Sequence, residues 1–381
     1  RSVAQSVVVL SSQLITTLSA LAYLRWRGIR GTRLHVVSLY RDDLSHSSKA
    51  FQPLLHQLAA QDGHQCQFIQ IPPDQFGVLR LSAGDSVLIG PEPLKCSLLL
   101  LPRLDDREGQ RMLLGYQASE VVELGESIGV ETCLYSPAGR RERRRVLQRL
   151  RCSEGRAVVR QDPLVPLDQP VDLARLRCLL DLCAVCRASL AETTSSNSSP
   201  FMGVMLCLPY LKLQSWRFRW RLMGRSLGWR QAPVIENRSY FRRAVGSALR
   251  HLPAAAPVAV QAHPRNEAHH GLIDQLLRPL RPNAVLEVLP STDPLEARLS
   301  SEWSPEGGGR WRVLGFGTNL LAAAVFLAPD HRGVTLCQPA DEGWWWRCSD
   351  SWLNRREWRR SQHVRAVLAN LLDALDRLQP Q

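Results

Sequence analysis

The chain has 381 residues, 45% hydrophobic and 22% charged, a globular mixture that argues against disorder and leaves room for two domains, each with its own core. Its formal net charge of +13 comes almost wholly from arginine, because Lys49, Lys95 and Lys212 are the only lysines. That excess fits an anionic partner (nucleic acid, acidic lipid, phosphate-bearing substrate or polyanionic glycan) and equally fits a compositional bias without function.

The opening residues alternate between apolar and polar stretches. Val7–Leu10 and Leu14–Leu24 are interrupted by Ser11, Ser12, Gln13, Thr16 and Thr17, and no small-residue cleavage pattern follows. A strand and a helix are expected here rather than a secretion signal. No run of about 18 apolar residues occurs, so no spanning helix is expected. The ten cysteines are scattered, and a chain this long needs no disulfide framework, which makes a reducing, cytoplasmic setting the expectation.

In chain order, the β-branched run 6–10 reads as a strand, with Ser11 and Ser12 capping a helix from Gln13 to Trp26. A strand at 34–39, a helix at 48–60 with Phe51, Leu54, Leu55 and Leu58 on one face, and a strand at 67–71 continue the pattern. This β-α-β-α-β order opens a Rossmann-like unit. A buried strand at 97–101 and a helix at 105–116 precede Val121-Val122-Glu123-Leu124-Gly125-Glu126-Ser127-Ile128-Gly129. There an apolar strand ends in two acids bracketed by glycines, so that backbone can approach a ligand with Glu126 at the strand tip. A solvated turn acid is the competing reading.

The run Arg140 to Arg145, extended by Arg149 and Arg151, is either a solvated helix face or a contact for acidic acceptors and membrane phosphates. Proline and aspartate break the pattern over 161–171, and an apolar helix follows at 173–190. Cys183 and Cys186, with Cys178 nearby, have metal-like spacing in that helix but lack a second matching pair, so they are read as buried thiols. The Ser- and Thr-rich stretch 192–200 reads as a polar linker. The domain boundary is placed there, giving units 1–195, 201–345 and a helical tail 346–381.

The second half restarts with a strand at 202–208 and a basic, aromatic stretch from Trp216 to Arg221, read as an amphipathic strand or a stacking surface. A helix at 240–250 leads to the strand 257–262, which ends in His263-Pro264. A helix at 266–280, a strand at 284–288 and a short helix at 293–299 containing Glu296 follow. The strand 312–315 opens onto Gly315-Phe316-Gly317-Thr318-Asn319 and a helix to Leu327, before a strand at 333–337 and an amphipathic helix at 363–378. Trp344, Trp345 and Trp346 suit sugar stacking, a membrane interface or packing beneath the last helix. The fold expected is α/β, with two Rossmann-like domains facing a central cleft.

The residues Gly125-Glu126-Ser127 with Gly129, His263-Pro264, the Leu-Pro before Glu296, and Gly315 to Asn319 together resemble the bacterial sialyltransferase and polysialyltransferase group, whose fold is of the GT-B type. Val-Leu-Ser-Ser-Gln-Leu at 9–14 is similar to that group's opening strand and helix. The likeness covers most of the chain in order and placement, with only His-Pro an unmodified match. An acid is kept at Glu126 with a changed neighbour, the group's paired serines are Thr318-Asn319, and its frequent Lys two residues before the histidine is Gln261.

What the resemblance implies is transfer of sialic acid from CMP-sialic acid to a glycan acceptor, by inverting chemistry without a metal or other cofactor. Glu126 and His263 are then the catalytic base and acid. Glu296, Gly317, Thr318, Asn319 and Ser12 bind substrate. A nucleotide sugar and a glycan are the expected partners, peripheral membrane association is compatible with the charge, and nucleic acid is not expected. The open alternatives are a GT-B transferase using another nucleotide sugar and a noncatalytic binder of polyanions.

Overall fold

The computed structural model describes residues 6–11, 13–39, 51–71, 94–104, 107–125, 144–145, 148, 158–166, 169–194, 204–208, 241–242, 245–246, 249, 257–261, 266, 270–280, 286–289, 312–315, 324–327, 334–336 and 366–378. Six strands, β1 (Ser6–Leu10), β2 (Arg33–Leu39), β3 (Gln65–Ile71), β4 (Leu94–Leu101), β5 (Tyr116–Glu123) and β6 (Val158–Gln161), form one sheet in the order β3-β2-β1-β4-β5-β6. Every described pairing in it is parallel. That order, with a reversal between β1 and β4, is the Rossmann arrangement.

A second parallel sheet holds β7 (Val204–Cys207), β8 (Val258–Gln261), β9 (Leu286–Leu289), β10 (Arg312–Gly315) and β11 (Val334–Leu336). Its order is β11-β10-β7-β8-β9. Counted from β7, the same pattern recurs, with the reversal between β7 and β10. The chain is therefore a GT-B-like α/β fold in its architecture, built from two Rossmann-type sheets.

Parallel strands lie under helices on both faces, so central ones read as continuous apolar runs. β1 is such a strand, buried from Val7 through Leu10. Alternate side chains point to opposite faces. Val7 and Val9 join the apolar layer of α1 (Leu14–Trp26), α2 (Gln52–Gln61) and α4 (Leu173–Thr194), whereas Val8 and Leu10 join the layer around Met112 of α3 (Arg107–Gly115).

The helix α1 is buried on every side from Leu14 to Leu24. A helix apolar or small all round belongs inside a larger core, and α4 packs along it with Leu176, Leu179, Leu182, Cys183 and Cys186 buried. Burial of each such large aliphatic side chain contributes about 1.5–3 kcal/mol. The helix ends in a Schellman motif: Ile29 N–H donates to the Leu24 carbonyl at 2.9 Å and Gly28 N–H to that of Arg25 at 3.1 Å. Gly28 has φ +67°, which a residue without Cβ adopts freely.

The larger apolar cluster is not confined to the first sheet. It also takes in Ala259 of β8, Val313 of β10, the helical segment 324–327, and Val367, Leu368, Leu371, Ala374 and Leu375 of the C-terminal helix, residues 366–378. The Arg187 side chain of α4 donates to the Phe326 carbonyl at 2.9 Å.

Several sequence expectations need correction. The cap of α1 is Gln13, not a serine: Gln13 N–H donates to Thr16 Oγ1 at 3.1 Å, and the Thr16 hydroxyl donates to the Gln13 carbonyl at 2.7 Å. β5 begins at Tyr116, directly after α3, because Tyr116 to Glu120 alternate buried and exposed at the outer part of the sheet. β6 was not expected, since a four-residue edge strand with only partial burial lacks an apolar signature. Residues 192–194 of the expected linker belong to α4, which continues to Thr194, and 195–200 lie outside the described residues. The expected helix at 293–299 lies outside the described residues, and of the basic run 140–145 only Arg144 and Arg145 are described, both helical.

Candidate functional site

In open parallel sheets ligands bind beyond the carboxyl ends of the strands, at the point where strand order reverses. Register decides which strand ends share an edge. In the second sheet Gly315 of β10 pairs with Cys207 of β7, Cys207 with Gln261 of β8, and Gln261 with Leu289 of β9. Four strands thus end level. β7 and β8 stay paired one step further, through Leu208 N–H to the Gln261 carbonyl at 3.1 Å.

The segments carrying the expected nucleotide-binding residues leave from that edge. His263 follows β8 by two residues, Gly317, Thr318 and Asn319 follow β10, and Glu296 lies seven residues past the end of β9. β10 and β7 form the reversal point, and β8 is the next strand over. His263, Glu296, Gly317, Thr318 and Asn319 themselves lie outside the described residues. Gln261, where the resembled group often has Lys, is buried at the last position of β8.

The first sheet is organised the same way. Val9 pairs with Leu100, and Leu101 with Glu123, which pairs in turn with Gln161, so β1, β4, β5 and β6 reach a common carboxyl edge. Ser11 continues β1, its N–H donating to the Val37 carbonyl at 2.8 Å and its hydroxyl meeting that of Thr17 at 2.6 Å. Ser12 follows at the reversal point and Glu126 follows β5, both outside the described residues. Gly125, the residue before Glu126, is buried with φ +85°. A Cβ is strongly disfavoured there, so the direction in which the chain leaves the strand is tied to glycine.

Glu123 is a carboxyl-edge acid whose partners the sequence does not reveal. It is 1% exposed, and its two carboxyl oxygens accept from Leu104 N–H at 3.1 Å and from Gln161 Nε2 at 2.8 Å. Its carbonyl accepts from Asp162 N–H at 2.9 Å. An acid inside the apolar run Val121-Val122-Glu123-Leu124 was the available signal.

Asp162 continues the network. Its side chain and carbonyl receive Arg175 Nη1 at 2.7 and 3.0 Å, and the Arg175 guanidinium lies 5.1 Å from the ring centre of Tyr23 and 5.7 Å from that of Trp26. Burial pulls the Arg175 pKa down while Asp162 opposes the shift, and burial pushes the Tyr23 hydroxyl up.

The thiols expected to be inert are so placed. Cys183 and Cys186 are buried in α4; burial raises both, Cys186 to about 12, and pushes Cys66 and Cys96 up to about 11. Such thiols stay protonated and unreactive at neutral pH. Among the described residues no three His, Cys, Asp or Glu side chains gather as a metal site, and no helix is long and apolar enough to cross a membrane.

Two Rossmann-type sheets with aligned carboxyl edges define the class of this protein by its fold. No protein-family model matches the chain, and no curated protein sequence matches it. Among solved structures it is similar to a glycosyl transferase family 9 protein from Veillonella parvula, with 8% identity, a TM-score of 0.37, and coverage of 98% of this chain and 99% of that one. A sialyltransferase GT-B domain from Photobacterium damselae aligns at 12% identity and TM-score 0.33, covering 96% and 97% of the two chains. A glycosyltransferase from Rickettsia africae aligns at 8% and TM-score 0.30, covering 99% and 100%.

Proposed function

We propose that this chain is a GT-B-type glycosyltransferase that moves sialic acid from CMP-sialic acid to a glycan acceptor, with inversion and without a metal. In this reading residues 1–195 hold the acceptor, residues 201–345 hold the nucleotide, residues 346–381 form a tail, and the two lobes face a central cleft. The observation that carries the reading is the level carboxyl edge of β10, β7, β8 and β9, from which the His263 and Gly317-Thr318-Asn319 segments depart on strands separated only by β7.

Each residue has a defined task. Glu126 takes the acceptor hydroxyl proton as that oxygen bonds to the anomeric carbon. The bond from the anomeric carbon to the CMP phosphate breaks with its electron pair on phosphate, and His263 supplies a proton there. Such positioned acid and base groups contribute typically ~10²–10⁴-fold each. Thr318 and Asn319, with the backbone N–H groups of the helix expected to follow them, hold the phosphate, and Gly317 allows close backbone approach. Glu296 accepts the ribose hydroxyls, and Ser12 contacts substrate from the other lobe. The arginine excess suits an acidic acceptor and peripheral association with anionic membrane surfaces.

The test is thermal stabilisation by CMP, UDP and a polyanion, followed by turnover across a panel of nucleotide sugars. A ligand at 100 times its Kd adds about 2.7 kcal/mol. CMP-selective stabilisation with CMP-sialic acid turnover supports the proposal. Selective response to UDP assigns a different nucleotide sugar, and response to polyanion alone replaces the enzyme with a noncatalytic binder. Glu126→Gln is expected to abolish transfer while sparing CMP binding, and His263→Ala to weaken both.

A further inference from the structure

The acid at the end of β5 stands where the strand's alternation calls for an apolar side chain. Glu123 shares its face with Val121, which belongs to the apolar layer containing Leu101, Leu104 and Met112. An apolar residue there would avoid the cost of burying a carboxyl group, so stability alone does not account for it. What the carboxyl group adds is direction. One oxygen holds the Leu104 N–H, in the loop that leaves β4 at the reversal point, and the other holds the Gln161 side chain at the end of β6.

The backbone on either side is tied as well. Asp162 N–H binds the Glu123 carbonyl at 2.9 Å and Leu124 N–H binds the Leu101 carbonyl at 2.8 Å. Gly125, with φ +85°, then turns the chain into Glu126. The buried side chain therefore ties the loop after β4 and the end of β6 to β5, three residues before the acid assigned to the chemistry, and backbone hydrogen bonds add to the tie. Buried polar groups with satisfied partners rigidify their surroundings, and misplacing a reacting group by about 1 Å can cost about a hundredfold in rate.

We infer that Glu123 is a positioning residue, whose carboxyl group braces the loop after β4 and the end of β6 against β5 and so steadies the chain where it leaves β5 through Gly125 toward Glu126. The inference rests on the transferase reading for its catalytic consequence, and on the Leu104 and Gln161 hydrogen bonds for the brace itself. Glu123→Leu removes both acceptors and keeps an apolar side chain of similar length. Glu123→Gln keeps an acceptor for Leu104 N–H, and Gln161 can rotate its amide to meet the new side chain.

Hydrogen exchange by mass spectrometry, on peptides spanning 101–112 and on β1 and α1, reads the brace without any substrate. Glu123→Leu is expected to raise exchange in the 101–112 peptide about tenfold, a loss of protection typical of one released hydrogen bond, while β1 and α1 stay protected. Turnover of CMP-sialic acid, assayed well below the melting temperature, is expected to lose about tenfold to a hundredfold in kcat with little change in donor KM, and Glu123→Gln to recover most of it.

Unchanged exchange in Glu123→Leu overturns the brace, and faster exchange with wild-type kcat overturns the positioning role. If Glu126→Gln retains full turnover, or the wild type turns over no nucleotide sugar, the transferase reading and the positioning role fall together, while the exchange result still decides the brace. Should Glu123→Leu not fold, Gln161→Leu removes one arm from the outer strand, and the same two readouts apply.

Discussion

Replacing Arg175 tests how the buried network under the first sheet is balanced. The side chain is 2% exposed, with one nitrogen serving Asp162 twice, at 2.7 and 3.0 Å, and its plane against Tyr23 and Trp26. Its Nε and Nη2 atoms have no hydrogen-bond partner among the described residues. Breaking a buried ion pair by removing one partner costs about 3–5 kcal/mol, mostly through the charge left behind. Here that charge is Asp162, whose side chain is 31% exposed and can be rehydrated, so the cost falls toward the lower end of the range. Loss of the two ring contacts adds about 0.5–2 kcal/mol.

Arg175→Ala, which also opens a cavity, is expected to destabilise by about 3–5 kcal/mol. Arg175→Met fills the space and removes two unpartnered buried donors, so it should cost about 1–3 kcal/mol. Urea unfolding followed by tryptophan fluorescence measures both. At about 1 M salt, where the Debye length is about 3 Å, most of the Arg175→Ala loss should persist, because the guanidinium is shielded from solvent ions and its packing is lost at any salt. Arg175→Met as stable as the wild type would refute the claim that the guanidinium's partners outweigh its desolvation. A loss that vanishes in high salt would refute burial of the guanidinium.

Gly125→Ala places a Cβ at φ +85° and is expected to cost about 1–2 kcal/mol, with a drop in kcat larger than any change in nucleotide binding; Gly125→Asn, which tolerates that region better, should retain more of both. Stability should fall as the pH drops below about 6.5, because burial holds the folded pKa of His64 and His35 below that ordinary value and the unfolded chain takes up protons first. Their contribution is complete above that value and is lost as pH falls toward the folded pKa. His64 Nδ1 lies 2.8 Å from the Thr32 hydroxyl and accepts the Thr32 N–H at 3.4 Å, so His64→Asn, which keeps an acceptor, should flatten the slope of urea midpoints against pH. Finally, a thiol alkylating reagent at pH 8 should leave Cys183 and Cys186 unmodified in the native protein and label them in denaturant, as read by mass spectrometry of the α4 peptide.

The parts of the fold legible in the sequence are those with strong periodicity and full burial. β1 and β10 start and end at the expected residues, and α1 and the C-terminal helix follow their apolar patterns. β6 escaped because an edge strand buries too little to carry a pattern, and its Val158 is 52% exposed. The cap of α1 was misassigned because three consecutive polar residues, Ser11, Ser12 and Gln13, all suit a helix start, and only the packing of Thr16 and Thr17 against the Gln13 carbonyl selects among them. At the site, the strand ends were legible and the brace was not. A carboxyl group beside Gly125 reads as a reactive acid from sequence, whereas the partners that make Glu123 structural come from Leu104 and Gln161, which only the sheet brings together.

The apolar cluster joining β1 and α1 to the C-terminal helix has a consequence for biosynthesis. At about 5–20 residues per second, tens of seconds pass between the emergence of the first helix and that of the last. Throughout that interval the nascent lobe presents greasy surface that its own tail will later cover. A nonsense codon just upstream of residue 366 should therefore yield a product that depends on holdase chaperones and is cleared by quality-control proteases, even though every strand of both sheets has been made.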